Sequence, residues 1–277
     1  MTAIKRNLVR GFIALVLVFL ALLAFTPFLY MCIISLTQKS TLDLNFAGVD
    51  FNFNNYVRVF KNLNTARNFL NSVIVTCGAC ILNCVICSMA AYGFSKKRWP
   101  GKRWPGRDKV FARYLATLMV PGQVTLIPVF LIIKQLGLMN THLALMLPIV
   151  NAFGVFLMRQ FIMNVPDDLL EAARIDGCSE NRLFLRIVIP LIKPVIISLT
   201  VFAFITSWND FLWPLITCTN QNMQTLMLAI SALKGNYFTN YCLVMVGSVL
   251  AFLPPFILYI FLQKQFVEGI ALSGVKG

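Results

Sequence analysis

Four cysteines, Cys77, Cys80, Cys84 and Cys87, form a C-x-x-C-x-x-x-C-x-x-C run. Thiolates at such spacings bind zinc when a loop folds them around one ion. On a helix they make a single stripe, and the outer two stand roughly 15 Å apart. Zn–S bonds of about 2.3 Å cannot gather all four. The run therefore reads as small side chains that let a neighbouring helix approach closely. Cys32, Cys178, Cys218 and Cys242 are scattered, and a Cys218–Cys242 disulfide stays open. His142 is the single histidine, read as an interfacial residue at the start of a span. No Ser-His-Asp or H-E-x-x-H arrangement is present, nor a G-x-x-x-x-G-K-[ST] phosphate loop. No catalytic residue, metal or cofactor is assigned to this chain.

Two other patterns carry information. Asp210 is the one acid in or at the edge of an apolar segment, within Ser207-Trp208-Asn209-Asp210-Phe211-Leu212-Trp213-Pro214. A carboxylate at that depth marks a functional site by default. The alternative is an interfacial helix end, with the tryptophans as an aromatic belt and the acid facing water. The second pattern is Val165–Gly177. Pro166 suits the first helical position, Asp167 and Asp168 oppose the positive end of the helix dipole, and Gly177 is a natural left-handed stop. Leu169, Leu170 and Ala173 are expected on one face, with Glu171 and Arg174 on others. A short, well-terminated helix with two alanines could plug into a partner's groove.

The elements that position these residues follow from hydropathy. Of 277 residues, 58% are hydrophobic and 12% charged, against roughly 45–50% and 25% in soluble domains. The chain is expected to be an all-α integral membrane protein in a lipid bilayer. Charge-free gaps place spans at about 11–34, 68–94, 111–133, 143–163, 194–215 and 241–262, each near the roughly 20 residues a crossing needs. The first is too long for a signal-peptide core and lacks a cleavage site, so it reads as a retained helix. The net charge of +14 would suggest nucleic acid in a soluble protein. Here 18 of the 24 Lys and Arg fall in one alternate set of loops and 6 in the other, which places both termini in the cytoplasm and gives no reason to invoke nucleic acid. The 95–113 loop carries a tandem Lys97–Gly101/Lys102–Gly106 repeat, read as a tolerated duplication.

The segment Glu171-Ala172-Ala173-Arg174-Ile175-Asp176-Gly177, followed by Ile187, Pro190 and Pro194, resembles the EAA loop of permease subunits of binding-protein-dependent ABC importers. Asn71-Ser72, Pro121 with Thr125–Pro128, and the run at 208–215 are similar to the same family. The ending Val275-Lys276-Gly277 resembles its carbohydrate branch, in particular the maltose-type second permease. The duplicated Trp-Pro-Gly departs from the usual single Pro-Gly turn. The resemblance implies one transmembrane domain over residues 1–277, with six spans in a bacterial cytoplasmic membrane and an EAA loop at 164–193 between spans 4 and 5. The EAA helix would be the coupling helix, docking through Glu171, Ala172, Ala173, Asp176 and Gly177 in a cleft of a separate cytoplasmic ABC ATPase dimer, which holds the ATP and Mg. A second, homologous permease and an extracellular solute-binding protein would complete the importer. Trp208, Asn209, Asp210 and Trp213 would shape the gate or substrate path. The tail at Val275, Lys276 and Gly277 would reach the ATPase. The expected cargo is a sugar, with a sugar phosphate, polyol or other small polar solute as the rival. An ion-gradient transporter fits less well, since it needs ionisable groups along its path, and so does a non-transporting scaffold.

Overall fold

The computed structural model describes residues 3–38, 51–62, 64–97, 106–233 and 240–274. The helices are α1 (Ala3–Ser35), α2 (Asn54–Asn62), α3 (Thr65–Ser95), α4 (Arg107–Leu115), α5 (Gly122–Gln135), α6 (His142–Met146), α7 (Ala152–Met163), α8 (Asp167–Ile175), α9 (Glu180–Leu183), α10 (Ile189–Leu191), α11 (Lys193–Asn209), α12 (Leu212–Thr217), α13 (Leu226–Ala232) and α14 (Tyr241–Gly274). No strand occurs among the described residues. Most of the Trp-Pro-Gly repeat, and all of Val275, Lys276 and Gly277, lie outside them.

Three stretches are long and apolar enough to cross a membrane unaided: Val9–Ser35, Thr65–Ser95 and Tyr241–Gln263. The segments expected as continuous spans at 111–133, 143–163 and 194–215 are instead interrupted. Arg107–Met119 meets Gly122–Gln135 at 103°, His142–Ile149 meets Ala152–Met163 at 50°, and Glu180–Leu191 meets Lys193–Asn209 at 79°. Prolines explain the breaks, because the ring removes an N–H and biases the preceding residue to extended backbone. Val120 before Pro121 has ψ 116°. Pro148 lies in a tight turn after α6, and Asn151 then starts α7 by accepting the Gly154 N–H at 3.0 Å. Pro194 opens α11 just beyond Ile192.

The chain divides into two compact units. The first comprises Met1–Thr65 and Ala229–Pro254. In it the end of α1 is closed by Asn55, whose amide donates to the Ser35 and Thr37 carbonyls at 3.1 and 2.6 Å. Phe28 and Phe252 pack with ring centroids 4.6 Å apart. Phe12, Leu15 and Phe19 stay exposed on α1, as suits hydrocarbon surroundings.

The second unit comprises Ala66–Leu228 and Pro255–Gly277. One apolar cluster joins Cys87 and Tyr92 of α3 to Met158 and Ile162 of α7, Leu170 of α8 and Leu199 of α11. A second joins Val75 and Ala79 to Leu145, Ala203 and Trp213. The cysteine stripe lies in this packing. Cys80 Sγ donates to the Thr200 carbonyl at 3.5 Å, and Cys84 Sγ lies 3.2 Å from Thr200 Oγ1. Cys87 Sγ donates to Asn83 Oδ1 at 3.1 Å, while Cys77 is exposed. All eight cysteines are free thiols, Cys218 and Cys242 included. Gly154 is where α7 comes closest to α3: a Cβ there would lie 2.7 Å from Cys87 Sγ.

Candidate functional site: a docking helix and a cavity at a helix break

The segment Asp167–Ile175 forms a helix with Pro166 as its N-cap (φ −59°, ψ 133°), one residue earlier than expected. Its end is a Schellman turn. Cys178 N–H bonds the Ala173 carbonyl at 2.9 Å and Gly177 N–H bonds the Arg174 carbonyl at 3.0 Å. Gly177 has φ +77°, the left-handed conformation that favours glycine. Leu170 is 1% exposed and plugs the core, and Ala173 packs against it. Leu169 and Ile175 are exposed at 49% and 86%. The expected facing is therefore corrected: Leu170, Ala173 and Arg174 face inward, and Leu169 turns outward with Asp168, Glu171, Ala172 and Asp176. Positions 170, 173 and 174 share a face by the i, i+3, i+4 rule, whereas 169 and 170 are about 100° apart.

Both ends of α8 are tied to the last turns of α3. Lys96 Nζ donates to Asp167 Oδ1 at 2.8 Å. Glu180 Oε1 accepts from Arg174 Nε at 2.9 Å, and its Oε2 accepts from the Tyr92 hydroxyl at 2.6 Å. Burial raises the Glu180 pKa, but the Tyr92 and Arg174 hydrogen bonds and the positive charges of Arg174 and Lys97 outweigh it, leaving the carboxyl below its usual 4.5. Sequence reading missed Tyr92, Lys96 and Glu180. Tyr92 and Glu180 are 88 residues apart, and no local pattern pairs them. Tyr92 and Lys96 do share a helix face at i and i+4, a signal that points to no partner by itself.

At the other end of α3, Asn71 Nδ2 donates to the Asn222 and Gln224 carbonyls at 2.9 and 3.0 Å. His142 Nε2 donates to Asn71 Oδ1 at 3.1 Å. Ser72 Oγ accepts the Leu226 N–H at 2.8 Å.

The run at 208–215 is split by function. Helix α11 ends at Asn209, and Asp210 (ψ 124°) redirects the chain. Its Oδ1 accepts the Trp213 N–H at 3.2 Å, so Asp210 caps α12. A cavity of about 430 Å³ adjoins it, lined among others by Gly122 and Thr125 of α5, Leu145 of α6, Thr206 of α11, Asp210, and Trp213. The Trp213 indole N–H is held by the Ala144 carbonyl at 2.8 Å. Trp208 instead packs in the protein, 2% exposed, with its ring stacked on Phe204 at 5.8 Å. Asn209 bonds back to the Ile205 carbonyl at 3.0 Å. Of the four residues expected together, the cavity collects Asp210 and Trp213 and leaves Trp208 and Asn209 out. Thr125 and Thr206 join them unforeseen, from helices that only the fold brings together. Hydroxyls, a carboxylate and an indole around such a space suit a small polar ligand.

Among the described residues no three His, Cys, Asp or Glu side chains are grouped so as to hold a metal ion.

Residues 102–271 match the family described as the binding-protein-dependent transport system inner membrane component. The chain is 35% identical over 280 residues to the lactose transport system permease protein LacG of Rhizobium radiobacter, covering 100% of both. It is 34% identical over 274 residues to the arabinooligosaccharides transport system permease protein AraQ of Bacillus subtilis (strain 168), covering 96% of each. The fold is also similar to that of a chain from a bacterial ABC transporter involved in the import of the acidic polysaccharide alginate, with TM-score 0.80, 23% identity, and 95% and 98% of the two chains covered. The chain belongs to the family of inner membrane components of binding-protein-dependent transport systems.

Proposed function

We propose that this chain is one membrane-spanning half of an ABC importer that carries a sugar across the bacterial cytoplasmic membrane. The observation that carries the reading is α8: a capped helix anchored by Leu170 that presents Glu171, Ala172, Ile175 and Asp176 outward. In this reading that face seats in a cytoplasmic ATPase dimer, which binds ATP and Mg. The relatives named for lactose and arabinooligosaccharides support a sugar as cargo.

The remaining parts follow from that reading. Counting each bent pair as one crossing, α1, α3, α14 and three pairs make six spans in one transmembrane domain, with both termini in the cytoplasm as the positive-inside asymmetry requires. A second homologous permease completes the pore, and an extracellular solute-binding protein delivers the sugar. The cavity beside Asp210 and Trp213 lies on the substrate path toward its outer end. Asp210 shapes the gate through the α11–α12 break, and Trp208 and Asn209 support that break from α11. The tail at Val275, Lys276 and Gly277 reaches the ATPase.

The test is uptake of labelled solutes by cells lacking this gene, with and without a plasmid copy. The panel holds neutral mono- and oligosaccharides, a polyol and a sugar phosphate. Loss of oligosaccharide uptake, restored by the wild type and not by Glu171→Lys, is the expected result. Loss confined to the sugar phosphate or polyol would overturn the sugar assignment.

A further inference from the structure

We propose that α3 is a transmission rod joining the docking helix α8 at one end to the 220–226 segment at the other, with Tyr92, Lys96 and Asn71 as its positioning residues. The inference rests on the importer reading above. At the α8 end, Tyr92 and Lys96 grip both termini of the helix: Asp167 in its first turn and, through Glu180, Arg174 in its last turn. Two charge-assisted contacts at opposite ends fix a helix's position and direction, where one would leave a pivot. Tyr92 also packs on Phe184, with centroids 5.1 Å apart.

At the opposite end, Asn71 and Ser72 hold the backbone of residues 222–226 by three hydrogen bonds. In the proposed topology that segment faces outward, where a binding protein would meet it. Between the two ends α3 runs unbroken for 31 residues without proline, about 46 Å. It is long enough and stiff enough to carry a displacement across a bilayer.

The covalent route from α8 is poorly suited to that task. The chain leaves α9 through a π-helical turn at Phe184–Val188 and then bends by 79° at Ile192 before α11 begins. Such turns absorb a push by changing local backbone geometry. Displacement of α8 therefore reaches the far side through the side chains that hold it to α3, and an event at 222–226 returns the same way, since coupling between sites is reciprocal.

The test uses the complete transporter in nanodiscs, with its ATPase, partner permease and sugar-loaded binding protein, after wild-type sugar uptake in proteoliposomes has been shown. The readout is the stimulation ratio: ATPase rate with loaded binding protein divided by the rate without. Tyr92→Phe, Glu180→Gln and Asn71→Ala should each lower the ratio, by roughly threefold to tenfold. Lys96→Glu should lower it too, and adding Asp167→Lys should restore it. In the double variant Tyr92→Phe/Asn71→Ala the losses should not multiply, because either break severs the same rod. A purely structural role would reduce yield or melting temperature while leaving the ratio of the assembled complex intact. Wild-type uptake combined with unchanged ratios, multiplying losses, or no rescue by the charge swap overturns the rod and leaves the importer reading standing. Absence of sugar uptake by the assembled wild-type complex overturns the importer reading, and the rod's role in transport with it.

Discussion

Two buried helical glycines allow the packing of the second unit to be tested against itself. A methyl group at Gly154 would lie 2.7 Å from Cys87 Sγ, 3.2 Å from Leu199 Cδ1 and 3.3 Å from Asn83 Oδ1. Cys87 and Asn83 are 0% and 1% exposed and bonded to each other at 3.1 Å. Neither short side chain has room to swing. A methyl group at Gly78 would also clash, 2.5 Å from Met146 Cε and 2.6 Å from its Sδ. Those atoms end a flexible side chain that re-routes easily. Replacing either glycine by alanine brings the same gain in helix propensity, roughly 0.5–1 kcal/mol, so the difference between the two variants isolates the packing. Overpacking a rigid site costs about 1–3 kcal/mol. At roughly 2–4 °C per kcal/mol for a chain of this size, Gly154→Ala should melt about 2–12 °C below Gly78→Ala in detergent. Adding Cys87→Ala should recover more than half of the gap by removing the nearest atom. Equal melting temperatures, or no recovery, would mean that α7 and α3 are not in the contact that Gly154 describes.

The other expectations concern the docking helix and the topology. At Gly177 the φ is +77° and a Cβ would meet no atom within 4 Å, so substitution is limited by backbone strain alone, about 1–2 kcal/mol for ordinary residues. Asn, which tolerates that region, should keep most uptake and Val should lose it with the protein still in the membrane; equal uptake by both would refute the strain argument. Because Glu180 has a depressed pKa in the folded protein, its contribution to stability is full above the unfolded value near 4.5 and fades as pH falls through the lower folded one. The melting-temperature gap between wild type and Glu180→Gln should be open at pH 7 and should narrow on acidification below about pH 4; a constant gap would deny the carboxylate its partners Tyr92, Arg174 and Lys97. In a cysteine-free background, single cysteines near Asn52 and Asn236 should react with an impermeant maleimide in intact cells, and one near Lys102 should not. Labelling at Lys102 would invert the proposed orientation.

Where the apolar segments lie, and where one short helix starts and stops, could be read from the order of residues, because those features are local. A gap of about 20 residues without charge is enough to mark a span, and Pro166, Asp167, Asp168 and Gly177 each act within one helical turn of α8. What the prolines do depends on packing. Pro27 and Pro128 lie inside continuous helices, whereas Pro121 stands at a 103° bend, and the difference depends on what surrounds the backbone groups each ring displaces. Packing also turns Leu170 inward and Leu169 outward, since both are leucines and only the assembled core chooses between them. Asp210 was conspicuous as an acid among apolar residues, yet its bond to Trp213 and its place beside Thr125 and Thr206 needed the fold. The Tyr92–Glu180–Arg174 contact was invisible to any periodicity, because it joins residues from two distant segments through side chains alone.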